Sequence, residues 1–543
     1  MKTKAEELAE LQREISVSEF FEKNRHLLGF DNPIRALGTT VRELVDNSLD
    51  ATEEMRILPE VNVEIKQLSE TRFDVIVVDN GPGVVKEQIP YVFAKLLYGS
   101  KFGVNKQSRG IQGIGVSASV LYGQLTTGKA AKIISKIGKN KPAHYYELKI
   151  DINKNEPVIV KDQIVDFRQD HGTKVEIELE GKYQKGKQSV DEYLKQVAIA
   201  NPHVEIIYIN PLKEKIVFKR AVEKLPKESK KIKPHPYGVE IGVLMRMLAL
   251  SKAKTLSGFL SNEFSRVSSK LAKDICQKAN IKPDIKPKLV THDETERLIK
   301  AIKETKISSP SLDCLSPIGE KAIIEGLKKE IKGDFYTAIT RRPSVYRGFP
   351  FQVEVGLIFG GELSGDELIR MIRLANKVPL QYQQSACAIT KSIINISWRN
   401  YGLSQSKGAL PEGAVLLMVH IASVWVPFTS EAKEAIAHYP EIIKQIKLAL
   451  QDIGRRLGGY IRKTVRAKEQ KERASLFERY IPEVASSLSV LSGEKKNKIE
   501  EQLKKILKKS LKEILQDIPD GDKTDIKKED SKKLEKEKQA TLV

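Results

Sequence analysis

The stretch Glu43-Leu-Val-Asp-Asn-Ser-Leu-Asp-Ala51 decides how this chain is read. Apolar positions recur at helical spacing from Ile34 to Met55, so the stretch lies on a helix, with Glu43 and Asn47 one turn apart on one face. A carboxylate beside a carboxamide suits a water-activating base next to a magnesium ligand, although an ordinary polar helix face has the same composition. Asp46 and Asp50 read as solvated or capping residues. Working outward, strand-like runs follow at Val61-Asn-Val-Glu-Ile65 and Phe73-Asp-Val-Ile-Val-Val78, then at 132–137, 145–152 and 174–179. The second run ends in Val77-Val-Asp-Asn-Gly-Pro-Gly83. There Asp79 can accept a hydrogen bond from an exocyclic amine, and the glycines let backbone approach a flat base. Asp-Asn-Gly is also a common turn. Next comes Arg109-Gly-Ile-Gln-Gly-Ile-Gly-Val116, leading into the helix-like Ser117-Ala-Ser-Val-Leu-Tyr122. Its glycines expose N–H groups at a helix start, which is either a phosphate cradle or a tight connection. His171-Gly-Thr-Lys-Val-Glu-Ile177 completes the series. The weight lies in the order of these four segments, since each has an ordinary reading alone.

The rest of the chain bounds the answer. It has 543 residues and a net charge of +21, long enough for three or four domains with cores of their own. The charge favours a polyanionic partner, nucleic acid first. Cys276, Cys314 and Cys387 are far apart and in no metal-ligand spacing, which fits a reducing compartment. The charged start MKTKAEELAELQREI lacks the apolar core of a signal peptide, and no run approaches the ~18 apolar residues of a membrane span. A cytoplasmic, nucleoid-associated protein is therefore expected. Lys224 to Pro236 reads as a linker, 241–306 as helical, and Phe351–Phe359 and Ala414–Ile421 as strands of a second α/β region. A long helix is expected from Pro440 to about Lys471. Beyond Tyr480 no aromatic residue occurs; Ile499, Leu503, Ile506, Leu507, Leu511, Ile514 and Leu515 trace one helical face, and the stretch from about Pro519 reads as disordered.

In their order, the four segments resemble the Bergerat-fold (GHKL) ATPases. Val41-Arg-Glu-Leu-Val-Asp-Asn-Ser-Leu-Asp-Ala51, Leu97-Tyr-Gly-Ser-Lys-Phe102, Arg373-Leu-Ala-Asn-Lys-Val-Pro-Leu380 and Tyr480-Ile-Pro-Glu-Val484 resemble the B subunits of archaeal-type DNA topoisomerase VI, over roughly residues 15–490. The resemblance implies an α+β multidomain chain. A Bergerat α/β-sandwich ATPase domain with an N-terminal strap would occupy 1–233, and a helix–two-turns–helix insert 234–309. A transducer domain with a long C-terminal helix would occupy 310–471, and an A-subunit docking segment with a flexible Lys-rich tail 472–543.

The same resemblance implies ATP and Mg²⁺ as ligands. Glu43 would be the general base, Asn47 would hold Mg²⁺, and Asp79 would read the adenine amine with Thr173 in support. Gly83 would approach the base, and Ser100 and Lys101 would lie in a lid. Gly110, Ile111, Gln112, Gly113, Ile114, Gly115, Val116 and Ser117 would wrap the phosphates. Lys433, in Pro427-Phe-Thr-Ser-Glu-Ala-Lys-Glu-Ala-Ile436, would supply the γ-phosphate cation and couple hydrolysis to domain movement; without the resemblance it is an exposed loop lysine. Trp425 reads as packing, and His235 has no partner at ligand spacing. The insert would either bind DNA, as that module does elsewhere, or be architectural here.

Partners implied are an A subunit carrying the DNA-cleaving tyrosine in an A2B2 heterotetramer, a second copy of this chain on ATP binding, and duplex DNA, with no membrane. Residues before Ile34, including Phe20 and Phe21, would form the crossing strap. Lys444, Lys447, Arg455, Arg456, Arg462, Lys463, Arg466 and Lys468 would either line a DNA cavity or form a solvated face. The tail departs from relatives that end in an immunoglobulin-like domain. The alternatives are a MutL-like repair clamp, which predicts no helical insert, and a chaperone-like ATPase acting on proteins.

Overall fold

The computed structural model describes residues 3–4, 8–9, 11–110 and 112–516. Its first body is built on eight strands: β1 (Glu60–Gln67), β2 (Arg72–Asp79), β3 (Ala131–Lys136), β4 (Ala143–Asp151), β5 (Glu156–Val165), β6 (Gly172–Glu180), β7 (Glu205–Ile209) and β8 (Lys215–Phe218). They lie in the order β5-β4-β3-β6-β2-β1-β7-β8, antiparallel throughout except between β1 and β7. Helices α1 (Val17–Lys23), α2 (Pro33–Glu54), α3 (Ile89–Ala94), α4 (Gly115–Thr127) and α5 (Val190–Ala200) complete the body, α2 and α4 packing on β2 and β6. Asn32 Oδ1 accepts the Arg35 N–H at 3.0 Å and Pro33 opens the first turn, which fixes where α2 starts. Val41, Leu44, Val45 and Leu49 of α2 are buried against β2 and β6, each contributing ~1.5–3 kcal/mol. Phe21 of α1 belongs to this same core, so of the two strap phenylalanines only Phe20 stays exposed.

Residues 223–235 carry no regular structure and lead into four helices, α6 (Ile241–Leu250), α7 (Leu256–Glu263), α8 (Ser269–Lys278) and α9 (His292–Glu304). Thr255, Ser268 and Thr291 cap three of them, Thr291 in a reciprocal box with Glu294. Leu248, Phe259, Phe264, Ile275 and Leu298 give this body a core of its own.

The third body contains α10 (Glu320–Glu330) and a six-stranded sheet of β9 (Phe335–Thr340), β10 (Ser344–Tyr346), β11 (Phe349–Phe359), β12 (Arg370–Ala375), β13 (Val378–Pro379) and β16 (Val415–Ser423). The short pair β14 (Ser404–Gln405) and β15 (Pro411–Glu412) stands apart, and α11 (Ala388–Ile394) packs against the long helix α12 (Pro440–Ser492). Strand β16 is buried along its whole length because α12 covers one face of the sheet and α10 the other. Ile199 and Ala200 of α5 share a core with Ile323 and Leu327 of α10. A Cβ at Gly326 would lie 2.4 Å from the Ile199 carbonyl oxygen, so the two helices meet backbone to backbone.

Helix α12 continues past the expected end near Lys471, through Pro482, for a length of about 80 Å. Ile481 and Ala485 are buried beside α13 (Lys496–Gln516), which folds back along it, and this packing outweighs the proline's missing donor. The stretch beyond Pro519 lies outside the described residues. No helix among the described residues is long and apolar enough to cross a membrane.

Candidate functional site

The antiparallel register of β2 and β6 sets Asp79 directly opposite Thr173. Asp79 Oδ1 accepts the N–H groups of Gly81 at 2.8 Å and Thr173 at 3.2 Å, and Oδ2 accepts the Ser48 hydroxyl at 2.9 Å. Burial pushes this carboxyl above its ordinary value despite those donors. Gly83 sits at φ +71° with its Cβ position 2.2 Å from the Lys136 carbonyl oxygen, so no side chain fits there.

Helix α4 begins at Gly115 without a side-chain cap, leaving its first amides unpaired by any capping side chain at the rim of a cavity of about 380 Å³. A Cβ at Gly115 would lie 1.8 Å from Glu43 Oε2, so the Glu43 carboxylate rests against the helix start. Arg42 holds the other oxygen of Glu43 through Nη2 at 3.1 Å and Nε at 3.3 Å. Asn47 Oδ1 faces Gly110, 3.7 Å from that residue's Cβ position. The segment carrying Ser100 and Lys101 packs on the loop at Gly113 (φ +61°), whose Cβ position is 2.6 Å from Phe102 Cζ.

Lys433 comes from the third body. Its Nζ stands 3.4 Å from the Arg109 carbonyl oxygen, and its loop is gripped by the first body at three neighbouring positions. Gln112 binds Glu431, Arg42 donates to the Ala432 carbonyl at 3.3 Å, and Arg35 pairs with Glu434. One cavity is thus lined by Glu43, Asn47, Asp79, Gly83, Ser100, Lys101, Gly110, Gln112, Gly113, Ile114, Gly115, Val116, Ser117, Thr173 and Lys433. Ile111 lies outside the described residues.

Two sequence expectations need correction. Asp46 and Asp50 are buried, not solvated. Asp46 accepts the Tyr193 hydroxyl at 3.2 Å, and burial, with Glu43 nearby, pushes its carboxyl up to about 7. Asp50 takes Arg109 at 2.9 Å and Lys101 at 2.5 Å; burial opposes its charge, but these two cations outweigh it and hold the carboxyl below its usual value. Lys101 is consequently paired at the cavity edge. On α12, Arg456 donates to the Ala338 carbonyl at 2.6 Å and Thr337 Oγ1 at 3.2 Å and Arg455 pairs with Asp452, both arginines staying exposed.

Sequence reasoning also missed a buried cluster behind the loop. Arg109 binds Glu53 and Asn201 at 2.6 Å each, and His203 Nε2 lies 2.9 Å from Glu53. Against the cost of burial, Arg109 and Lys377 hold Glu53 well below the carboxylate range. Only the count of charges in 101–109 and 50–53 hinted at it. His235 Nε2 donates to the Ser308 carbonyl, 3.0 Å away, and Trp425 stacks on Tyr346.

The family described as histidine kinase-, DNA gyrase B-, and HSP90-like ATPase matches residues 32–182, and that described as topoisomerase VI B subunit, transducer, matches residues 310–473. Over 486 residues the chain is 50% identical to the B subunit of type 2 DNA topoisomerase 6 from Methanococcoides burtonii, covering 89% of this chain and 78% of that one. The protein of the same name from Archaeoglobus fulgidus is 44% identical over 496 residues, covering 91% and 82%. A solved structure, the B-subunit of the DNA gyrase from Myxococcus xanthus, is 10% identical at a TM-score of 0.40, covering 81% of this chain and 95% of that one.

Proposed function

The chain belongs to the family of type 2 DNA topoisomerase VI B subunits, the ATP-driven subunits of type IIB topoisomerases, and from that premise we propose how its residues divide the work. Glu43 takes the proton from the water that attacks the γ-phosphate. Asp79 and Thr173 read the adenine amine, with Gly83 leaving room for the base. Gly110 to Ser117 wrap the phosphates, Ser100 and Lys101 close over them, and Lys433 adds a cation at the γ-phosphate. Such a hydrolysis needs positioning and charge neutralisation more than covalent chemistry.

Asn47 suits Mg²⁺, which keeps most of its waters and takes one or two protein oxygens plus phosphates. Its carboxamide oxygen faces the glycine loop, on the side the phosphates would fill. When bound, the ion supplies charge neutralisation.

The observation that carries this reading is that Lys433 of the third body and Glu43 and Asn47 of the first line one cavity. A ligand filling it touches both bodies. A lysine attracted by the γ-phosphate loses that attraction on hydrolysis, so the two bodies move with turnover. ATP binding pairs two copies through their first bodies, Phe20 on the crossing segment, and closes a gate on one duplex. The partner A subunit makes a transient break in a second duplex, and relaxation and decatenation follow. In the A2B2 assembly the A subunit docks on residues 475–491, where Phe477, Tyr480, Leu488 and Leu491 stand exposed on α12. Lys444, Lys447, Arg455, Arg456, Arg462, Lys463, Arg466 and Lys468 are candidates for phosphate contacts along the same helix. The division into 1–233, 234–309, 310–471 and 472–543 and a place in the cytoplasm, at the nucleoid, belong to the same reading. A MutL-like clamp predicts no helical insert, and α6–α9 form one.

The test is supercoil relaxation by the purified chain with and without its A subunit. Activity only with both, and only with ATP, is expected; relaxation by this chain alone overturns the division of labour.

A further inference from the structure

The third body also meets the first behind the nucleotide pocket, at a point apart from the Lys433 loop. Strands β12 and β13 are joined by Asn376-Lys377, both at positive φ, +49° and +69°. Neither residue is a glycine, and Lys377 is only 3% exposed. A long cation in a left-handed turn, out of water, is unfavourable both in backbone and in solvation, and such strain gathers where geometry is used.

Each polar group of the turn is tied to the first body or to the sheet behind it. Asn376 Nδ2 donates to the Ser108 carbonyl at 3.0 Å, and Asn376 Oδ1 accepts the Ser423 N–H at 2.9 Å. The Lys377 N–H donates to His420 Nε2 at 3.0 Å, and its carbonyl accepts Asn201 Nδ2 at 3.3 Å. Lys377 Nζ lies 3.1 Å from Ser316 Oγ and 3.7 Å from Glu53 Oε2. From Glu53 the contacts run on through Arg109 and Asp50 to Lys101. Charges alternate along this ladder, from the third body to a lysine that lines the nucleotide cavity. Arg109 immediately precedes Gly110, and its carbonyl is the atom that Lys433 approaches. Three cations face two carboxylates, and a phosphate drawing Lys101 away from Asp50 would leave Arg109 to rebalance between Asp50 and Glu53, changing what Lys377 meets.

We infer that the Asn376-Lys377 turn is a second coupling contact, in which Lys377, acting through Glu53 and Arg109, positions the phosphate loop for hydrolysis and returns the loop's state to the third body. Lys377 is a positioning residue, since it touches no reacting atom. The inference rests on the ATPase reading of the cavity.

The test is ATP turnover by the full chain with its A subunit, comparing Lys377→Met, Glu53→Gln and the pair. A fall in kcat of about tenfold or more is expected, with the Kd of a non-hydrolysable ATP analogue within about twofold of the unsubstituted protein. The double variant should be no worse than either single one, and Lys377→Arg should recover part of the loss. Unaltered kcat in a folded Lys377→Met, or losses that multiply, overturns the inference. A second readout needs no variant: in hydrogen exchange, analogue binding should change protection at residues 374–379 together with 108–116. Protection confined to the pocket and the Lys433 loop also overturns it. Glu43→Ala run alongside separates the two readings: undiminished turnover by that variant sinks the assignment of hydrolysis to this cavity, whereas a normal fall there beside a normal Lys377→Met sinks only the second contact.

Discussion

Gly115 has no room for a side chain because Glu43 occupies the space: a Cβ there would sit 1.8 Å from Glu43 Oε2. The uncapped start of α4 and the Glu43 carboxylate are therefore one fitted unit. Gly115→Ala should move Glu43 off its position and lower kcat by about 10²-fold. Steady-state turnover beside a thermal melt checks this, and normal turnover would detach the glycine from the base.

Glu43→Ala should leave nucleotide binding and ATP-driven pairing of two copies intact while turnover drops by about 10²–10⁴-fold. Analogue titration, sedimentation with ATP and phosphate release measure the three steps separately. Loss of binding in place of turnover would remove Glu43 from the base role.

Asp79 accepts three hydrogen bonds from its own protein and keeps acceptor capacity on Oδ2, which meets only Ser48. Asp79→Asn turns part of that acceptor into a donor facing an adenine amine. ATP affinity should fall by about 10- to 100-fold, the ~1.5–3 kcal/mol of a hydrogen bond to a charged group. Calorimetry with ATP and GTP analogues tests it; unchanged preference for adenine would move base reading elsewhere.

Lys433→Ala should leave ADP affinity unaltered, since the lysine is assigned to the γ-phosphate, and should uncouple ATP binding from gate closure. The loop itself should stay docked, because Gln112, Arg42 and Arg35 still hold Glu431, Ala432 and Glu434. Binding of ADP and of an ATP analogue, beside crosslinking of the paired copies, checks this. Closure at the normal extent would end the switch assignment.

How much of this was legible follows from the range of each signal. Glu43 and Asn47 could be placed because a helix repeats every 3.6 residues, and the loop because its glycines at 110, 113 and 115 stand in order with the other three segments. Asp50, Glu53 and Arg109 were opaque: i+3 and i+7 spacing puts carboxylates on a polar face, and nothing local says that an arginine 56 residues beyond Glu53 will bury that face. Strand β5 showed no alternation because both of its faces are largely exposed. The expected end of the long helix near Lys471 came too early because Ile481 and Ala485, buried beside α13, carry it on through Pro482.

Glu354 makes the fold's acid sensitivity predictable. Fully buried on β11, it accepts His420 Nδ1 at 2.8 Å, the N–H groups of Ile318 and Gly319 at 2.7 and 2.8 Å, and the Thr340 hydroxyl at 2.8 Å. Burial opposes its charge, but these donors, His420 first, hold its carboxyl below the ordinary value of 4.5. A carboxyl lowered on folding contributes stability that is present above its unfolded value and disappears as pH falls through the folded one. The third body should therefore be at full stability above about pH 4.5 and weaken below it. Glu354→Gln should cost about 3 kcal/mol at neutral pH by leaving donors mispaired, and should flatten the acid limb. Urea midpoints of the two proteins between pH 3 and 7 test the sign. Parallel acid limbs would mean that the Glu354 charge is not what holds α10 and β9 to the sheet.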